Sequence, residues 1–292
     1  MSKVKLWIYA ARPKTLFIGA SPIFIGTCMA IKEKHFNLAI FLWTLLGALM
    51  IQVGTNYSND YFDFLKGADK QDRKGLKKVL PEELITPKAM KLAFILCFSI
   101  AALCTLVLMQ RGGPILLLVG AACILFSLLY TAPPFPLAYL GLGDLFVLLF
   151  YGPIATLFCY YLQTLHFSYV VFLASLAPGL LGLILLNINN LRDHDEDIMV
   201  GKKTLVVRFG IAFGKIHVLL ALLCCFFIPP LLVFCTKNHF FSLAASLSLL
   251  RALPLTKTIL TYQDASELNP IFVKAAKLIP IYTLLFCLGW VI

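Results

Sequence analysis

Residues 52–78 read QVGTNYSNDYFDFLKGADKQDRKGLKK. The stretch begins inside an apolar segment, leaves it through a series of Asn and Asp residues, and ends in a run of Arg and Lys. Residues three and four apart are neighbours on a helix. Gln52, Asn56, Asn59 or Asp60, and Asp63 therefore share one helical face. We predict a stripe of carboxylates and amides on a helix that emerges from a hydrophobic region.

A second stripe of the same kind occurs more than a hundred residues later. Asn189, Asp193 and Asp197 are each four residues apart, and they are followed by Lys202, Lys203 and Arg208. Either stripe alone is typical of a solvated helix end. Because both share the spacing Asn-x-x-x-Asp and the cations that follow, we expect them to face each other across one site for a metal and a diphosphate.

The composition predicts an integral membrane protein with an all-α fold. Of the 292 residues 60% are hydrophobic and 13% charged, and the mean hydropathy is +0.89, whereas a soluble domain is about 45–50% apolar and about 25% charged. A helix needs roughly 20 apolar residues to cross a bilayer. We predict one transmembrane domain, residues 1–292, a helix bundle around a central site that faces the cytoplasm. It has nine spans, near residues 15–32, 37–56, 90–109, 113–131, 141–162, 168–189, 213–235, 240–255 and 273–292.

The eighth span is the weakest, because it is short and lies close to Arg251 and Pro254. The alternative is a bundle of eight spans, which would place the C-terminus on the other side of the membrane.

The basic residues predict the orientation. With nine spans and a cytoplasmic N-terminus, all but four of the 25 Lys and Arg residues fall on the cytoplasmic side, as the positive-inside rule requires. We therefore expect a multi-pass protein of the inner cell membrane, with its N-terminus and both acidic stripes at the cytoplasmic face. These cations flank membrane spans and form no basic domain, so we expect no nucleic-acid partner.

The residue types of the two stripes indicate the chemistry. Carboxylate and amide oxygens favour hard ions, above all Mg²⁺ when phosphate is present. Cations of the kind that neutralise a diphosphate are predicted on the same side, although Arg12 and Lys14 could instead anchor the first helix at anionic lipid. A diphosphate bound at the face of an apolar bundle implies an ester with a lipid chain. An allylic prenyl diphosphate fits, because the carbocation left by metal-assisted loss of diphosphate can be captured by an electron-rich acceptor.

These motifs resemble those of the UbiA superfamily of intramembrane aromatic prenyltransferases. The first acidic motif is similar to Asn59-Asp60-x-x-Asp63 and the second to Asp193-x-x-x-Asp197. The subgroup that prenylates 1,4-dihydroxy-2-naphthoate is the most similar. The segments that carry this resemblance are residues 12–16, 59–64, 130–137, 139–144, 190–193, 201–205 and 207–210.

The resemblance implies a nine-helix bundle, dependence on Mg²⁺, and a tunnel open to lipid for the prenyl chain of a polyprenyl diphosphate. It also implies prenylation of an aromatic acid at the ring carbon that bears the carboxyl group, with loss of CO₂, to give demethylmenaquinone. The implied metal ligands are Asn59, Asp63, Asp69, Asp193 and Asp197, supported by Asp60. The implied diphosphate ligands are Arg12, Lys14, Arg73, Lys78 and Lys202. Residues expected near the aromatic acceptor are Asn56, Tyr130, Tyr139, Asn189 and Arg192.

The chain departs from the superfamily pattern at two places. Gly67 stands where the first motif has its third aspartate, and Asp69 is the expected replacement. The usual basic-x-Leu-Pro-Ser-Gly element begins here at Lys78 but ends in Glu82 and Glu83.

Two alternatives stay open at this point. The acceptor could be 4-hydroxybenzoate, a haem vinyl group or a different naphthoate. The chain could instead be a cation transporter, although transport predicts charges near the middle of several spans, whereas both acidic stripes lie at helix ends.

Overall fold

A computed structural model of the chain describes residues 2–67 and 79–292. All regular elements in this part of the chain are helical, as predicted. Asp69, Arg73 and Lys78 lie outside the described residues.

Fourteen α-helices are described. They are α1 Lys3–Ala11, α2 Pro13–Lys32, α3 Leu38–Leu65, α4 Pro87–Gly112, α5 Ile115–Leu129, α6 Gly143–Leu149, α7 Ala155–Thr164, α8 Tyr169–Arg192, α9 His194–Met199, α10 Leu205–Phe209, α11 Ile211–Thr236, α12 Leu243–Ser248, α13 Leu253–Thr261 and α14 Leu268–Val291. A π-turn, Phe150–Ile154, joins α6 to α7, and short 3₁₀ turns extend α12, α13 and α14.

The prediction of about nine spans is confirmed, with one refinement. Across the described ranges, eight helical segments are long and apolar enough to cross a membrane. The fourth predicted span, near residues 113–131, corresponds to α5, which has only 15 residues and is not one of these eight segments. The doubtful predicted span near 240–255 is part of a 22-residue segment, Phe240–Thr261, and counts among the eight.

The first acidic stripe lies within one helix, whereas the second crosses the end of a helix. The helix α3 continues unbroken through Leu65, so the first stripe is carried on one helix as predicted. The expectation for the second stripe is only partly right, because α8 ends at Arg192 and Asp193 is its C-cap, with φ −91° and ψ 9°. The amide of Asp197 still donates to the carbonyl of Asp193 at 2.8 Å. The helical spacing thus persists across the break between α8 and α9. No Pro or Gly in the sequence indicates this break.

The largest apolar core joins α2, α7, α8, α11 and α14. Small residues let these helices approach closely, as is common in membrane bundles. Ser21 on α2 and Thr283 on α14 share a buried hydrogen bond of 2.7 Å. At Gly26 a Cβ atom would lie 2.6 Å from the carbonyl oxygen of Thr156 and 3.2 Å from Cys159 Cβ. The contact between α2 and α7 therefore requires a glycine at this position.

This contact gives a first prediction. Gly26→Ala should destabilise the folded protein by about 1–3 kcal/mol, because the backbone of α7 must move to admit the methyl group. The loss of stability is measured as a decrease in the thermal unfolding temperature of the detergent-purified protein.

Gly19→Ala on the same helix is the matched control. Its added Cβ would meet only Gln52 Cβ, at an ordinary 3.4 Å, and alanine favours the helix. Equal melting temperatures for the two variants would contradict the close packing of α2 on α7.

Candidate active site

A cavity of about 1070 Å³ lies between the helices and contains both acidic stripes on its wall. The first stripe contributes Gln52, Asn56, Asn59, Asp60 and Asp63. The second stripe contributes Asn189 and Asp193. The structure thus brings together two segments that are about 130 residues apart in the chain.

The cavity also extends far along α3 in the apolar direction. Its wall follows this helix from Thr44 to Asp63, which at about 1.5 Å per residue is a length of about 28 Å. The far end is lined by Leu108, Leu116 and Leu162, which form a small apolar cluster. One end of the cavity is therefore polar and the other suits a hydrocarbon chain.

Arg12 compensates the most buried carboxylate of the first stripe. Its Nη2 donates to Asp60 Oδ1 at 2.5 Å, and the Asp60 side chain is only 3% exposed. Arg12 lies between α1 and α2 in the left-handed region, with φ 56°. The Asn56 amide donates to the Ala11 carbonyl at 3.0 Å and so holds this junction against α3.

The segment between α5 and α6, residues 130–142, crosses the end of the first stripe, and we call it the strap. The Thr131 hydroxyl donates to Asn59 Oδ1 at 3.0 Å, and the Tyr139 hydroxyl donates to Asp63 Oδ1 at 3.1 Å. The Lys66 ammonium donates to the Thr131 carbonyl at 2.8 Å and lies 3.8 Å from the centre of the Tyr139 ring. The strap thereby fixes two of the predicted metal ligands.

The strap also contacts the segment that follows the second stripe. The Lys203 amide donates to the Tyr139 carbonyl at 3.0 Å, and Arg208 Nη2 donates to the Leu140 carbonyl at 2.8 Å. Tyr139 therefore bridges the two halves of the site, with its side chain on one half and its backbone on the other.

Burial changes the pKa values of two groups in this region. Partial burial lowers the pKa of Lys66, and the nearby Asp63 carboxylate opposes that change. Burial, reinforced by the Asp144 carboxylate, raises the pKa of Tyr130. The Tyr130 hydroxyl therefore stays protonated and can donate a hydrogen bond at neutral pH.

The second stripe is also paired with cations. Arg192 holds both carboxylate oxygens of Asp193, through Nε at 2.6 Å and Nη2 at 3.0 Å. Lys202 donates to Asp197 Oδ1 at 3.1 Å. Asp193 and Lys202 line the cavity, whereas Asp197 is buried behind them.

The other predicted residues differ in their access to the cavity. Arg12, Lys14, Tyr130, Asn189 and Arg192 line it. Tyr139 is not among the lining residues, so it acts on the site through Asp63 and the strap.

Three residues of the site were not expected from the sequence. Lys66 contacts the strap, while Asn269 and Phe272 at the start of α14 line the cavity beside Arg192. The sequence of the last three spans contains no motif that indicates a catalytic or binding site. A single Asn next to a Pro does not indicate one either. Asn269 and Phe272 follow Arg192 by 77 and 80 positions in the chain. Their role is visible only because the fold brings them next to it.

The donor set fits a hard cation that shares its ligands with phosphate. In the described ranges no three His, Cys, Asp or Glu side chains are grouped closely enough to hold a metal by themselves. Asp63 and Asp193 line one cavity together with amide oxygens. Mg²⁺ is usually bound by one or two carboxylates together with substrate phosphates. The described residues thus suit a metal that arrives with a diphosphate.

Comparisons with known proteins agree on one family. The UbiA prenyltransferase family matches residues 20–278. The chain is 32% identical to a 1,4-dihydroxy-2-naphthoate octaprenyltransferase of Escherichia coli, over 99% of this chain and 96% of that protein. It is also 32% identical to the protein of the same name from Haemophilus influenzae, over 99% and 97% of the two chains.

A solved structure shares the fold. A UbiA homologue from Archaeoglobus fulgidus, bound to DMAPP and Mg²⁺, has a TM-score of 0.60 and 14% identity, and the match covers 94% of this chain and 98% of that one. The family match and the two bacterial relatives identify an enzyme rather than a cation transporter, and the chain belongs to the UbiA prenyltransferase family.

Proposed function

We propose that this enzyme transfers a polyprenyl group from an allylic diphosphate to 1,4-dihydroxy-2-naphthoate, as the names of its bacterial relatives say of those proteins. One observation carries the proposal. Residues of both acidic stripes, together with Arg12, Lys14 and Lys202, line the polar end of a single cavity whose other end is apolar. This arrangement suits a substrate with a diphosphate head and a hydrocarbon tail.

The proposed reaction has a simple electron balance. The allylic C–O bond breaks and diphosphate leaves with the electron pair. The ring carbon that bears the carboxylate attacks the allylic cation, and CO₂ then leaves while its bonding pair restores the aromatic ring. Mg²⁺, held by Asn59, Asp63, Asp193 and Asp197, would stabilise the charge on the departing diphosphate. Asp69 is proposed as a further ligand and lies outside the described residues.

The cations of the cavity are proposed to hold the diphosphate. Arg12, Lys14 and Lys202 are described and line the polar end. Arg73 and Lys78 remain proposals, since they lie outside the described residues. Asp60 keeps the Arg12 guanidinium in place through the bond of 2.5 Å. Fixed cations of this kind stabilise developing charge without reorganisation during the reaction.

The acceptor is proposed to bind beside Tyr130, Asn189 and Arg192, which line the same end of the cavity. Asn56 supports this region through the Ala11 carbonyl, and Tyr139 supports it through Asp63. We further propose that the whole chain forms one domain in the inner cell membrane. The positive-inside rule places its N-terminus and active site at the cytoplasmic face.

Prenyl transfer in membranes tests this function. We expect Mg²⁺-dependent release of CO₂ and a prenylated product from 1,4-dihydroxy-2-naphthoate, with diphosphates of graded chain length. Asp63→Asn and Asp193→Asn should each lower the rate on the order of 100-fold or more, because each removes a carboxylate that would hold the Mg²⁺ against the departing diphosphate.

Asp195→Asn is the matched control, because it lies in the same acidic segment and its side chain is 67% exposed. We expect it to keep the activity of the unaltered protein. Transfer to other phenols with none to the naphthoate would overturn the proposed acceptor and leave the family assignment intact.

The strap gives a second test of the site. Tyr139→Phe removes the hydroxyl that orients Asp63, and loss of such outer contacts typically weakens metal binding 10- to 100-fold. We expect the Mg²⁺ concentration for half-maximal activity to rise about tenfold, while the rate at saturating Mg²⁺ changes less.

Tyr169→Phe is the control for this substitution, since its ring is 69% exposed at the start of α8. An unchanged Mg²⁺ dependence in Tyr139→Phe would show that the hydrogen bond to Asp63 does not position a metal ligand.

A further inference from the structure

Arg192 is the most enclosed cation that the described part of the cavity contains. Its side chain is only 5% exposed, and the Asp193 carboxylate it holds is 6% exposed. Arg192 is nevertheless one of the residues that line the cavity. Two of its five N–H groups are directed at Asp193, at 2.6 and 3.0 Å. This is the two-pronged geometry with which arginine recognises carboxylates.

The start of α14 completes the surroundings of this arginine. Asn269 Oδ1 accepts a hydrogen bond from Arg192 Nη1 at 3.3 Å. The Phe272 ring lies 5.9 Å from the guanidinium carbon, and it lines the cavity together with Val273. Arg192 therefore has one anionic neighbour, one amide neighbour and one aromatic neighbour.

The pairing with Asp193 has a consequence when a metal binds. An enclosed charge is strongly unfavourable once its partner is lost. If Asp193 turns its oxygens towards a metal ion, Arg192 needs a second anion from within the cavity. The two N–H groups that had held Asp193 then present the same geometry to another carboxylate.

We propose that Arg192 is the receptor for the acceptor's carboxylate, and that Asp193 masks it until the metal and the diphosphate have bound. The proposal rests on the function proposed above and adds an order of binding to it. The donor substrate prepares the site, and the naphthoate binds second. Asn269 is the positioning residue that keeps the guanidinium in place during the exchange, and Phe272 offers a face to the bicyclic ring.

The diphosphate is a less suitable second anion for Arg192. Arg12, Lys14 and Lys202 line the cavity as well. Arg192 alone among these cations lies beside an aromatic ring. An anion fused to an aromatic system matches both neighbours at once, whereas a diphosphate matches only the charge.

Equilibrium binding without turnover tests the proposal. The full chain in lipid nanodiscs is titrated anaerobically with 1,4-dihydroxy-2-naphthoate by calorimetry. The titrations are made alone, with Mg²⁺, and with Mg²⁺ and farnesyl thiolodiphosphate, a donor that does not ionise readily. We expect the last condition to tighten naphthoate binding about tenfold, within the usual range of coupling between sites. 1,4-Dihydroxynaphthalene, which lacks only the carboxylate, should show no such gain.

Two substitutions act in opposite directions. Asp193→Asn removes the masking charge, so it should bind the naphthoate about tenfold more tightly than the unaltered protein before any metal is added, and gain little afterwards. A misfolded protein cannot give this tighter binding. Arg192→Lys keeps the charge and loses the two-pronged geometry. It should bind the naphthoate no better than 1,4-dihydroxynaphthalene in every condition.

Two further variants distinguish a loss of positioning of the Arg192 guanidinium from a general loss of folding. Asn269→Ala should weaken naphthoate binding and leave 1,4-dihydroxynaphthalene binding unchanged, which a loss of folding would not do. Arg251→Gln, an exposed arginine, should match the unaltered protein throughout.

The failures are distinguishable. Naphthoate that binds equally well with and without the metal and donor would overturn the masking by Asp193 and leave the proposed function standing. If Arg192→Lys still binds the naphthoate more tightly in the presence of Mg²⁺ and the donor, Arg192 is not the receptor for the carboxylate. That result would also overturn the inference and leave the proposed function standing. No saturable binding of the naphthoate in any condition would overturn the proposed acceptor itself.

Discussion

Asp60, Asp193 and Asp197 are each nearly buried in a protein that is 60% hydrophobic. An enclosed charge is strongly unfavourable without a partner, so each carboxylate needs a partner that the fold delivers. Arg12 reaches Asp60 from the junction of α1 and α2, and Lys202 reaches Asp197 from the turn after α9. The requirement to compensate these charges therefore fixes how the helix ends and connecting segments meet around the cavity.

The same pairing defines the resting state of the site. The carboxylates of the two stripes are held by arginine, lysine and tyrosine rather than grouped among themselves, and no cluster of three acids forms in residues 2–67 and 79–292. A metal at the proposed site would exchange with these contacts, and the cations it released would become available to anions. A metal and a diphosphate that bound together would therefore leave the displaced charges compensated.

The sequence was most informative where local spacing determines geometry. Four-residue spacing placed the first stripe on one helical face, and the apolar runs located most of the spans to within a few residues, although α3 continues nine residues past the predicted end at 56. It was least informative about contacts between distant segments. Nothing near Asn269 or Phe272 marks them, and the end of α8 at Arg192 comes without Pro or Gly. The pairing of Arg192 with its own neighbour Asp193 likewise depends on side-chain directions that spacing does not specify.

One helix carries both chemistries of the cavity. Along α3 the wall passes from Thr44 and Gly47 beside apolar neighbours to Asp60 and Asp63 at the polar end. A prenyl chain anchored by its diphosphate at the polar end must therefore extend towards the cluster of Leu108, Leu116 and Leu162. The leucines that close that end belong to α4, α5 and α7, whereas the two acidic stripes lie on α3 and from α8 to α9. The apolar end of the cavity and the proposed site of chemistry thus consist of different residues, so the motifs that indicate the reaction carry no information about the length of the prenyl chain.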